Sequence, residues 1–488
     1  MKVLKDILYK VQIDSIVGSV DVGVKTIHFD SRKVEQGSLF VAQKGVTVDG
    51  HKFIGKALDL GASVIVCEEI PETIKDGVTY VKVYSSDIAL AIIAANFFEN
   101  PSSKLKLVGV TGTNGKTTIA TLLYQLFKKA GYKVGLLSTV KVMVDDIEYK
   151  ATHTTPNSVA INQYLNEMLQ EGCEYCFMEV SSHGIHQSRT EGLEFAGGIF
   201  TNLSHDHLDY HSSFAEYRDV KKSFFDALPK SAFALTNLDD KNGMIMLQNT
   251  KAKKLTYALK TIADFKAKVL EKRFSGTLLT VNNVEVWTKL IGQFNAYNLL
   301  AIFGTAELLG LEKLEVLRLV SELESVSGRF QYTVSDNSVT AIVDYAHTPD
   351  ALKNVLETIN DIRTGNESVI TVVGCGGDRD KTKRPKMAHI ASHLSGQVIF
   401  TSDNPRTEDP QVILNEMEEG VAPENYKKTL SILDRKQAIK TACKLADEGD
   451  IILIAGKGHE NYQEINGERM HFDDFEEVTE CFNQLKNQ

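Results

Sequence analysis

Three stretches of the chain repeat one pattern, in which a run of β-branched and aliphatic residues leads directly into a glycine-bearing loop. These stretches are residues 106–118, 368–377 and 450–458. Strands that are apolar without interruption are buried on both faces, as in parallel sheets that are covered by helices. Further runs of this kind are residues 134–139, 175–180, 198–202 and 398–402. The pattern therefore predicts an α/β fold that is built on parallel sheets.

A chain of 488 residues is too long for one hydrophobic core. At about 100–200 residues per domain, this length predicts two to four domains. Loops at residues 100–103 and 327–330 each follow a predicted helix, and we place the domain boundaries there. We expect residues 88–98 to form an amphipathic helix and residues 251–286 to form an antiparallel excursion of the middle domain. The predicted domains are residues 1–100, 101–330 and 331–488.

The charge balance limits the partners of the chain. Its 54 Lys and Arg residues face 64 Asp and Glu residues, which argues against a mainly nucleic-acid-binding surface. No apolar run has the length of a signal peptide core or a membrane span, so we expect a cytoplasmic protein without a membrane partner. Cys173 and Cys176 are expected to be buried strand residues, with a redox or zinc role as the alternative. We also expect a monomer.

The sequence T-G-T-N-G-K-T-T at residues 111–118 is the strongest single motif. It follows a predicted strand and opens a predicted helix, where backbone N–H groups and the helix N-terminus attract phosphate. We expect Lys116 to contact the β- and γ-phosphates and the Thr117 hydroxyl to ligate Mg²⁺. The predicted ATP-contacting residues of the loop are Gly112, Thr113, Asn114, Gly115, Lys116, Thr117 and Thr118. Val110 replaces the first glycine of the usual P-loop pattern, and a glycine-rich turn with a surface lysine is the alternative.

Further motifs accompany this loop along the chain. They are E-V-S-S-H (179–183), N-L-S-H-D-H-L-D-Y-H (202–211), F-N-A-Y-N (294–298), G-R (328–329) and D-Y-A-H-T-P-D (344–350). Together with the loop, these motifs resemble the Mur ligase family of ATP-dependent amide-forming enzymes, in the family's order and from about residue 26 to residue 460. The resemblance implies an N-terminal α/β domain that binds UDP, a central P-loop domain with a parallel sheet, and a C-terminal Rossmann-like α/β domain.

The resemblance also implies a metal site with two Mg²⁺ ions, held by Thr117, Glu179, His207 and a carbamylated Lys221. Catalytic roles are implied for Lys116, Glu179, His207 and Lys221. From spacing alone, Lys221 reads as an exposed helical cation, and His207 reads as part of a solvated loop. Nucleotide-orienting roles are implied for Asn295, Asn298, Arg329 and Asp344, with His347 in the same motif.

Other segments resemble those that bind the UDP-linked acceptor in this family. The implied contacts are Phe29, Ser31, Thr47, Thr154, Thr155, Ser181, Gln187 and Arg189. An arginine suits a phosphate or a carboxylate because its guanidinium can donate two parallel hydrogen bonds. His153 and His205 stand where the family usually has Asn and Arg, so the side-chain contacts at these two positions remain open.

The motif D-N-P-R at residues 403–406 bears on the amino acid that is added. In the family this form accompanies meso-diaminopimelate, whereas L-lysine-adding relatives usually lack the arginine. A guanidinium would pair with the second carboxylate of diaminopimelate and would be left unpaired by lysine. The residues implied to bind diaminopimelate are Arg379, Asp403, Asn404, Pro405, Arg406, Gly456 and Glu460.

The implied reaction joins meso-diaminopimelate to the D-Glu of UDP-N-acetylmuramoyl-L-Ala-D-Glu through an acyl phosphate, during peptidoglycan precursor synthesis. A lysine-adding or folate-polyglutamylating relative shares the same ATP machinery. A P-loop switch or transport ATPase and a UDP-sugar-binding regulator without catalysis are alternatives from other classes. The loop at residues 374–377 lacks the full glycine spacing of a dinucleotide site, which argues against NAD.

Overall fold

The computed structural model describes residues 1–45, 48–204 and 210–486. The predictions for Thr47, His205 and His207 therefore lie outside the described residues. The chain divides into two compact units. The first contains residues 1–112, 119–201 and 218–256, and the second contains residues 113–118, the described part of 202–217, and 257 onwards.

The N-terminal part of the first unit has one five-stranded sheet in the order β2-β7-β6-β5-β4, with β1 and β3 paired separately. Its strands are β1 (Lys2–Val3), β2 (Ile13–Val17), β3 (Gly23–Val24), β4 (Thr26–His28), β5 (Ser38–Val41), β6 (Val64–Cys67) and β7 (Thr79–Val83). Its α-helices are α1 (Leu4–Ile7), α2 (Ile54–Asp59) and α3 (Ser86–Phe97). Strands β4 to β7 run parallel, and β2 joins β7 in the antiparallel direction.

A second sheet of the first unit has the strand order β11-β10-β9-β12-β8-β13-β14-β15. The strands are β8 (Lys106–Thr111), β9 (Val134–Leu137), β10 (Lys141–Val144), β11 (Ile147–Lys150), β12 (Tyr175–Glu179), β13 (Gly197–Phe200), β14 (Phe233–Asn237) and β15 (Lys253–Ala258). The helices are α4 (Lys116–Lys129), α5 (Ser158–Gln170), α6 (Ser182–His186), α7 (Phe214–Asp226) and α8 (Gly243–Met246). The five central strands from β9 to β14 in this order are parallel, as their uninterrupted apolar runs predict.

The first part of the second unit contains an antiparallel ribbon of three strands, followed by two helices. These are β16 (Phe265–Arg273), β17 (Gly276–Val281), β18 (Val284–Thr288), α9 (Gln293–Leu308) and α10 (Lys313–Ser321). The predicted antiparallel excursion is confirmed for β16 to β18. It is wrong for β15, whose last two residues pair with β16 in the parallel direction. Alternation of polar and apolar residues indicates a half-exposed strand and does not report the direction of its neighbour.

The last part of the second unit has a six-stranded sheet in the order β19-β20-β24-β21-β22-β23, beside a hairpin of β25 and β26. The strands are β19 (Gln331–Val334), β20 (Thr340–Asp344), β21 (Val369–Val373), β22 (Gln397–Phe400), β23 (Thr429–Ser431), β24 (Ile451–Ala455), β25 (Tyr462–Ile465) and β26 (Glu468–His471). The helices are α11 (Pro349–Ile362), α12 (Lys383–Leu394), α13 (Pro410–Glu418), α14 (Arg435–Leu445) and α15 (Asp474–Lys486).

Both faces of this last sheet are covered. Alternate residues of each strand, such as Ile342 and Leu453, pack with α11, α12 and α13. The intervening residues, such as Val343 and Ile452, pack with α14 and α15. All strands from β20 to β23 in the order given above are parallel. The sheet therefore confirms the predicted Rossmann-like α/β class.

The helix predicted at residues 88–98 is present as α3, but the expectation that it is amphipathic is wrong. Every residue of α3 is buried or half-buried. The helix packs with α1 and the sheet on one side and also contacts α5. Gly192 lies beside it as well, where an added Cβ would be 3.4 Å from the Cα of Ile92. A helix that is enclosed in this way is apolar around its circumference.

Two other predictions concern membrane-spanning helices and the state of two cysteines. Among the described residues, no helix combines the length and the apolar character that crossing a bilayer requires. Cys173 and Cys176 are buried thiols at the entry to and within β12, as expected. Each of the seven predicted runs contains a strand, and the runs after residue 130 end one to four residues beyond it, where loops begin.

Candidate active site

The phosphate loop joins β8 to α4 in the predicted way. Gly112 and Gly115 have φ angles of 147° and 91°, which side chains with a Cβ rarely adopt. The α4 helix begins at Lys116, so its first N–H groups are available at the loop. The Lys116 ammonium donates to the carbonyl oxygen of Thr113 at 2.8 Å, which keeps it folded over the loop. This arrangement is typical of a site for a polyphosphate.

Asn202 holds the loop in place, although the sequence did not identify it as a site residue. Its carbonyl oxygen accepts from Thr113 N at 2.9 Å, and its side-chain oxygen accepts from Asn114 N at 3.0 Å. The Asn202 amide donates back to the carbonyl oxygen of Asn114 at 3.2 Å. The Tyr217 hydroxyl lies 3.1 Å from that of Thr113. The position of Asn202 just after an apolar strand was the available signal.

Glu179 and Lys221 both lie at the carboxyl end of β8 in the first unit. Glu179 ends β12, is almost fully buried, and pairs in register with Val110 of β8. Its carboxylate accepts from Thr139 N at 2.7 Å. Lys221 is only 1% exposed and donates to the carbonyl oxygen of Gly112 at 3.0 Å. The reading of Lys221 as an exposed helical cation is therefore wrong.

The oxygen donors that are present suit Mg²⁺. A buried carboxylate such as that of Glu179 and a hydroxyl such as that of Thr117 are the hard ligands that this ion prefers. Lys221 would join them only after conversion of its ammonium to a carbamate, which is an anion. Within the described residues no group of three His, Cys, Asp or Glu side chains forms a metal site, and His207 lies outside those residues.

The residues predicted to bind the acceptor in the middle domain lie together in the first unit. The Arg189 guanidinium donates to the carbonyl oxygen of Thr155 at 2.6 Å and to the side-chain oxygen of Gln187 at 2.6 Å. The Thr155 hydroxyl donates to the Glu179 carbonyl oxygen at 2.9 Å and accepts from Ser181 N at the same distance. These hydrogen bonds connect the residues that are predicted to bind the UDP-linked acceptor directly to the strand that carries Glu179.

Three more residues that are predicted to bind the acceptor lie at the edge of that cluster and beside the N-terminal sheet. The Thr154 hydroxyl accepts from Thr139 at 3.0 Å. Burial, followed by the charge of Arg189, lowers the pKa of the neighbouring His153. In the N-terminal sheet, Ser31 is buried after β4 and Phe29 is 37% exposed. An exposed phenyl ring beside a buried hydroxyl can stack on a base.

The predicted nucleotide-orienting residues of the second unit fall into two groups. Asn295 and Asn298 lie buried in the first turns of α9, and the Asn298 amide donates to the Asn295 side-chain oxygen at 3.0 Å. Arg329 lies over the ring of Tyr345, 4.5 Å from its centroid, and donates to the Thr117 hydroxyl at 3.2 Å. Arg329, in the second group, thus contacts the phosphate loop.

Asp344 ends β20, where its carboxylate accepts from Phe330 N at 2.7 Å. Burial raises the pKa of Asp344 to about 6, against the opposing effect of the Arg329 charge. His347 places its Nδ1 at 2.8 Å from the carbonyl oxygen of Tyr345, so this nitrogen carries the proton. Burial, followed by the Arg329 charge, lowers the pKa of His459 to about 3, so this histidine is neutral.

The residues predicted to bind the amino acid form a buried polar cluster after β22 and β24. The Asn404 amide donates to the Glu460 carboxylate at 2.7 Å. Lys457, which the sequence did not single out, is fully buried and donates to the Asn404 side-chain oxygen at 3.1 Å. Its ammonium is 3.6 Å from the Asp403 carboxylate and 3.7 Å from that of Glu460. Burial, followed by the charge of Asp403, raises the pKa of Glu460.

The predicted arginines lie around the loop at residues 374–377. Arg406, with a φ of 53°, donates to the carbonyl oxygen of Gly377 at 2.6 Å. Arg379 is exposed and borders a cavity of about 440 Å³, which is also lined by Glu408. The remaining predicted residues, Pro405 and Gly456, are both buried.

Arg384 is a third residue that the sequence did not identify. It is fully buried on α12, where it donates to both oxygens of Glu408 at 2.9 and 3.0 Å. The same guanidinium donates to the carbonyl oxygen of Gly376 at 3.2 Å. The Arg384 hydrogen bonds lower the pKa of Glu408 to about 2. Arg384 therefore fixes the loop that carries Arg379, and only tertiary contacts reveal this role.

Comparison with known proteins agrees with this geometry. Relatives named UDP-N-acetylmuramoyl-L-alanyl-D-glutamate--2,6-diaminopimelate ligase include that of Cytophaga hutchinsonii, 57% identical over 96% of this chain and 97% of its own length. The protein of that name from Bacteroides fragilis is 56% identical, over 98% of this chain and 99% of its own. A solved structure with that name has a TM-score of 0.70 and 32% identity over 100% of both chains.

The fold is shared more widely. The crystal structure of the MurF ligase from Thermotoga maritima in complex with ADP has a TM-score of 0.63 at 20% identity, covering 96% of this chain and 100% of that chain. Three family models match in series: "Mur ligase family, catalytic domain" at residues 23–98, "Mur ligase middle domain" at 110–306 and "Mur ligase, glutamate ligase domain" at 328–458. With these matches and more than half of its residues identical to full-length relatives, the chain belongs to the Mur ligase family.

Proposed function

We propose that this chain is an ATP-dependent ligase that joins meso-diaminopimelate to the D-Glu of UDP-N-acetylmuramoyl-L-Ala-D-Glu in peptidoglycan precursor synthesis. Relatives that are 54–57% identical carry the name of the 2,6-diaminopimelate ligase. The phosphate loop, the cluster around Arg189 and the cluster around Glu460 would receive ATP, the acceptor and the amino acid, respectively.

The observation that carries the choice of amino acid is the pairing of acidic and basic groups after β22. Asp403 and Asn404 are buried and Glu460 is half-buried, and together they form a cluster with two carboxylates that suits an ammonium group. Arg406 follows Asp403 by three residues. Its positive charge opposes the rise in the pKa of Glu460, so this charge lies near the same cluster. Diaminopimelate carries both an ammonium and a carboxylate at its far end, whereas lysine carries only the ammonium. This combination favours diaminopimelate.

The reaction would proceed in two steps. An oxygen of the D-Glu γ-carboxylate attacks the γ-phosphorus of ATP, which breaks the bond to ADP and forms an acyl phosphate. The neutral amine of diaminopimelate then attacks the acyl carbon, and the tetrahedral intermediate loses the extra amine proton to solvent and expels phosphate. Lys116 would stabilise the charge on the phosphoryl group during the first step, and the backbone N–H groups of the loop would orient it. Arg189 would orient the acceptor.

Two Mg²⁺ ions would be held by Thr117, Glu179, His207 and a carbamylated Lys221. When bound, Mg²⁺ neutralises phosphate charge and polarises the phosphoryl oxygens. The burial of Lys221 supports the carbamate, since a buried lysine tends to lose its proton and the neutral amine is the form that reacts with CO₂. A carbamate resonance in ¹³C NMR after exchange with labelled bicarbonate, absent from Lys221→Arg, would test this assignment.

Phosphate release tests the function directly. The assay uses ATP and UDP-N-acetylmuramoyl-dipeptide with either meso-diaminopimelate or L-lysine. We expect release to depend on the acceptor and to be at least about fivefold faster with diaminopimelate, because leaving the half-buried Arg406 guanidinium without a carboxylate partner costs about 1–3 kcal/mol. Equal rates with both amino acids would favour the lysine-adding alternative. Release without the acceptor would favour a P-loop switch or transport ATPase.

Arg406→Ala tests the residue that the choice of amino acid depends on. We expect kcat/KM for diaminopimelate to fall by about 10- to 100-fold, with little change for lysine, because only diaminopimelate loses a partner. Arg318→Ala, on the exposed face of α10, is the matched control. If Arg406→Ala reduced kcat/KM equally for both amino acids, the role of Arg406 would be structural.

The remaining features of the proposal concern the whole protein. We propose a cytoplasmic monomer that does not bind nucleic acid or membranes, in agreement with its net charge of −10. Domain boundaries near residues 100 and 330 remain predictions. Sedimentation of the purified chain at micromolar concentration would test the monomer, and limited proteolysis would test the boundaries.

A further inference from the structure

Lys457 is a fully buried lysine whose ammonium lies among the groups proposed to receive the amino acid. It donates to the side-chain oxygen of Asn404 and to the carbonyl oxygen of Tyr462. The carboxylates of Asp403 and Glu460 both lie within 4 Å of it. Burying an ammonium is costly unless it is paired and hydrogen-bonded, and Lys457 satisfies both conditions.

The hydrogen bonds of Lys457 determine how Asn404 is oriented. The Asn404 side-chain oxygen accepts from Lys457 and from Glu464 N, at 3.1 and 3.0 Å. Because the oxygen faces these two donors, the amide nitrogen faces Glu460 and donates to its carboxylate. Lys457 follows β24, whereas Asn404 follows β22, so its bond also connects two separate loops.

Lys457 also sets the charge of the cluster. The side chains of Asp403 and Glu460 are 8% and 16% exposed, and the two carboxylates together carry a charge of −2. With Lys457 the three groups carry −1, which leaves one negative charge for an arriving ammonium. Without the Lys457 ammonium, fewer cations oppose the charge of Asp403, and this favours the protonated form of Glu460.

We propose that Lys457 is a positioning residue for amino-acid binding, which orients Asn404 and keeps Glu460 ionised to receive the distal ammonium of the substrate. The inference rests on the proposed function. The groups that face Glu460 are Asp403, Lys457, Arg406, Tyr345 and Tyr462, and the charges of Arg435 and Arg469 also interact with it. Burial and the charge of Asp403 raise the pKa of Glu460, while Lys457 and Arg406 oppose that rise.

The test compares KM for diaminopimelate in the wild type and in Lys457→Met, at neutral pH and at about pH 9. Methionine keeps the unbranched, apolar stem without the charge. We expect the KM of Lys457→Met to exceed that of the wild type by about tenfold or more at neutral pH, and by only about threefold at the higher pH, because a higher pH favours the ionised form of Glu460. We expect kcat to change by less than about threefold. Lys436→Met, at an exposed position on α14, is the matched control.

A KM ratio that is the same at both pH values would overturn the inference, since loss of packing alone has no such pH dependence. An unchanged KM would overturn it as well. If Lys457→Met does not fold, Lys457→Arg takes its place: this variant keeps the charge, so its KM ratio should not vary with pH, and a ratio that falls at high pH would contradict the inference. A wild type without diaminopimelate-dependent phosphate release would instead reject the proposed function.

Discussion

At the scale of single residues, two adjacent lysines of one helix have different burial and different partners. Lys221 is enclosed and donates to the Gly112 carbonyl oxygen. Lys222 forms an ordinary ion pair with Asp226, four residues further along the same helix. Sequence periodicity did not distinguish them, because both lie on a helix with charged residues on several sides. Only the resemblance to the Mur ligases selected Lys221.

Asp344 provides a residue-scale prediction about pH. Its pKa in the folded protein is about 6, above the ordinary value of 3.8, so the folded state binds the proton more tightly than the unfolded chain. Its contribution to stability is therefore fully present below about pH 4 and decreases as the pH rises through 6. In Asp344→Asn this pH dependence should disappear. From pH 4 to pH 7 the free energy of unfolding of the variant should therefore rise by about 1–3 kcal/mol relative to that of the wild type.

Thermal unfolding at both pH values, without nucleotide, would measure this gain. Asp336→Asn, at an exposed position of the same unit, is the control and should show no trend. The amide oxygen that Asp344→Asn introduces can still accept the hydrogen bond from Phe330 N, so the variant keeps this contact at both pH values. A constant difference between variant and wild type would show that Asp344 titrates normally.

At the scale of elements, one loop connects the phosphate loop to the last sheet of the second unit. Gly328 has a φ of 65°, and a Cβ there would lie 2.0 Å from the backbone nitrogen of His459. The next residue, Arg329, donates to the Thr117 hydroxyl. Tyr345 N donates to the Gly328 carbonyl oxygen at 2.9 Å, which ties the loop to the end of β20. Close backbone packing thus positions the Arg329 side chain at the phosphate loop.

Gly328→Ala should therefore impair both stability and activity. The added methyl would force the loop away from His459, with a loss of about 1–3 kcal/mol in the free energy of unfolding. Displacing Arg329 should lower the rate of ATP-dependent phosphate release by at least about tenfold. Gly449→Ala is the matched control, because its φ is 86° and no atom lies within 4 Å of the added Cβ. Equal effects in the two variants would mean that only backbone strain matters.

At the scale of the whole molecule, ligand binding should be visible as stabilisation. A non-hydrolysable ATP analogue at about 100 times its Kd should stabilise the folded protein by about 2.7 kcal/mol in the presence of Mg²⁺. With EDTA this gain should largely disappear, since the carboxylate and hydroxyl oxygens that we propose as ligands act on the phosphates through the ion.

Thermal unfolding with and without EDTA measures this dependence. Glu179→Gln should reduce the gain, whereas Glu174→Gln, at an exposed position just before the same strand, should leave it unchanged. A gain of equal size in EDTA would refute the metal-dependent part of the proposal and leave the nucleotide site intact.

The sequence by itself determined the α/β class, the phosphate loop and the family, because these depend on local patterns: uninterrupted apolar runs, glycines at fixed spacing, and motifs in a fixed order. Only the tertiary structure decided that α3 is enclosed, that Asn202 holds the phosphate loop, and that Lys457 and Arg384 are buried among carboxylates. Their partners come from loops and strands far apart in the chain. Burial and hydrogen bonding across such distances leave no periodic signal, so they follow from packing rather than from pattern.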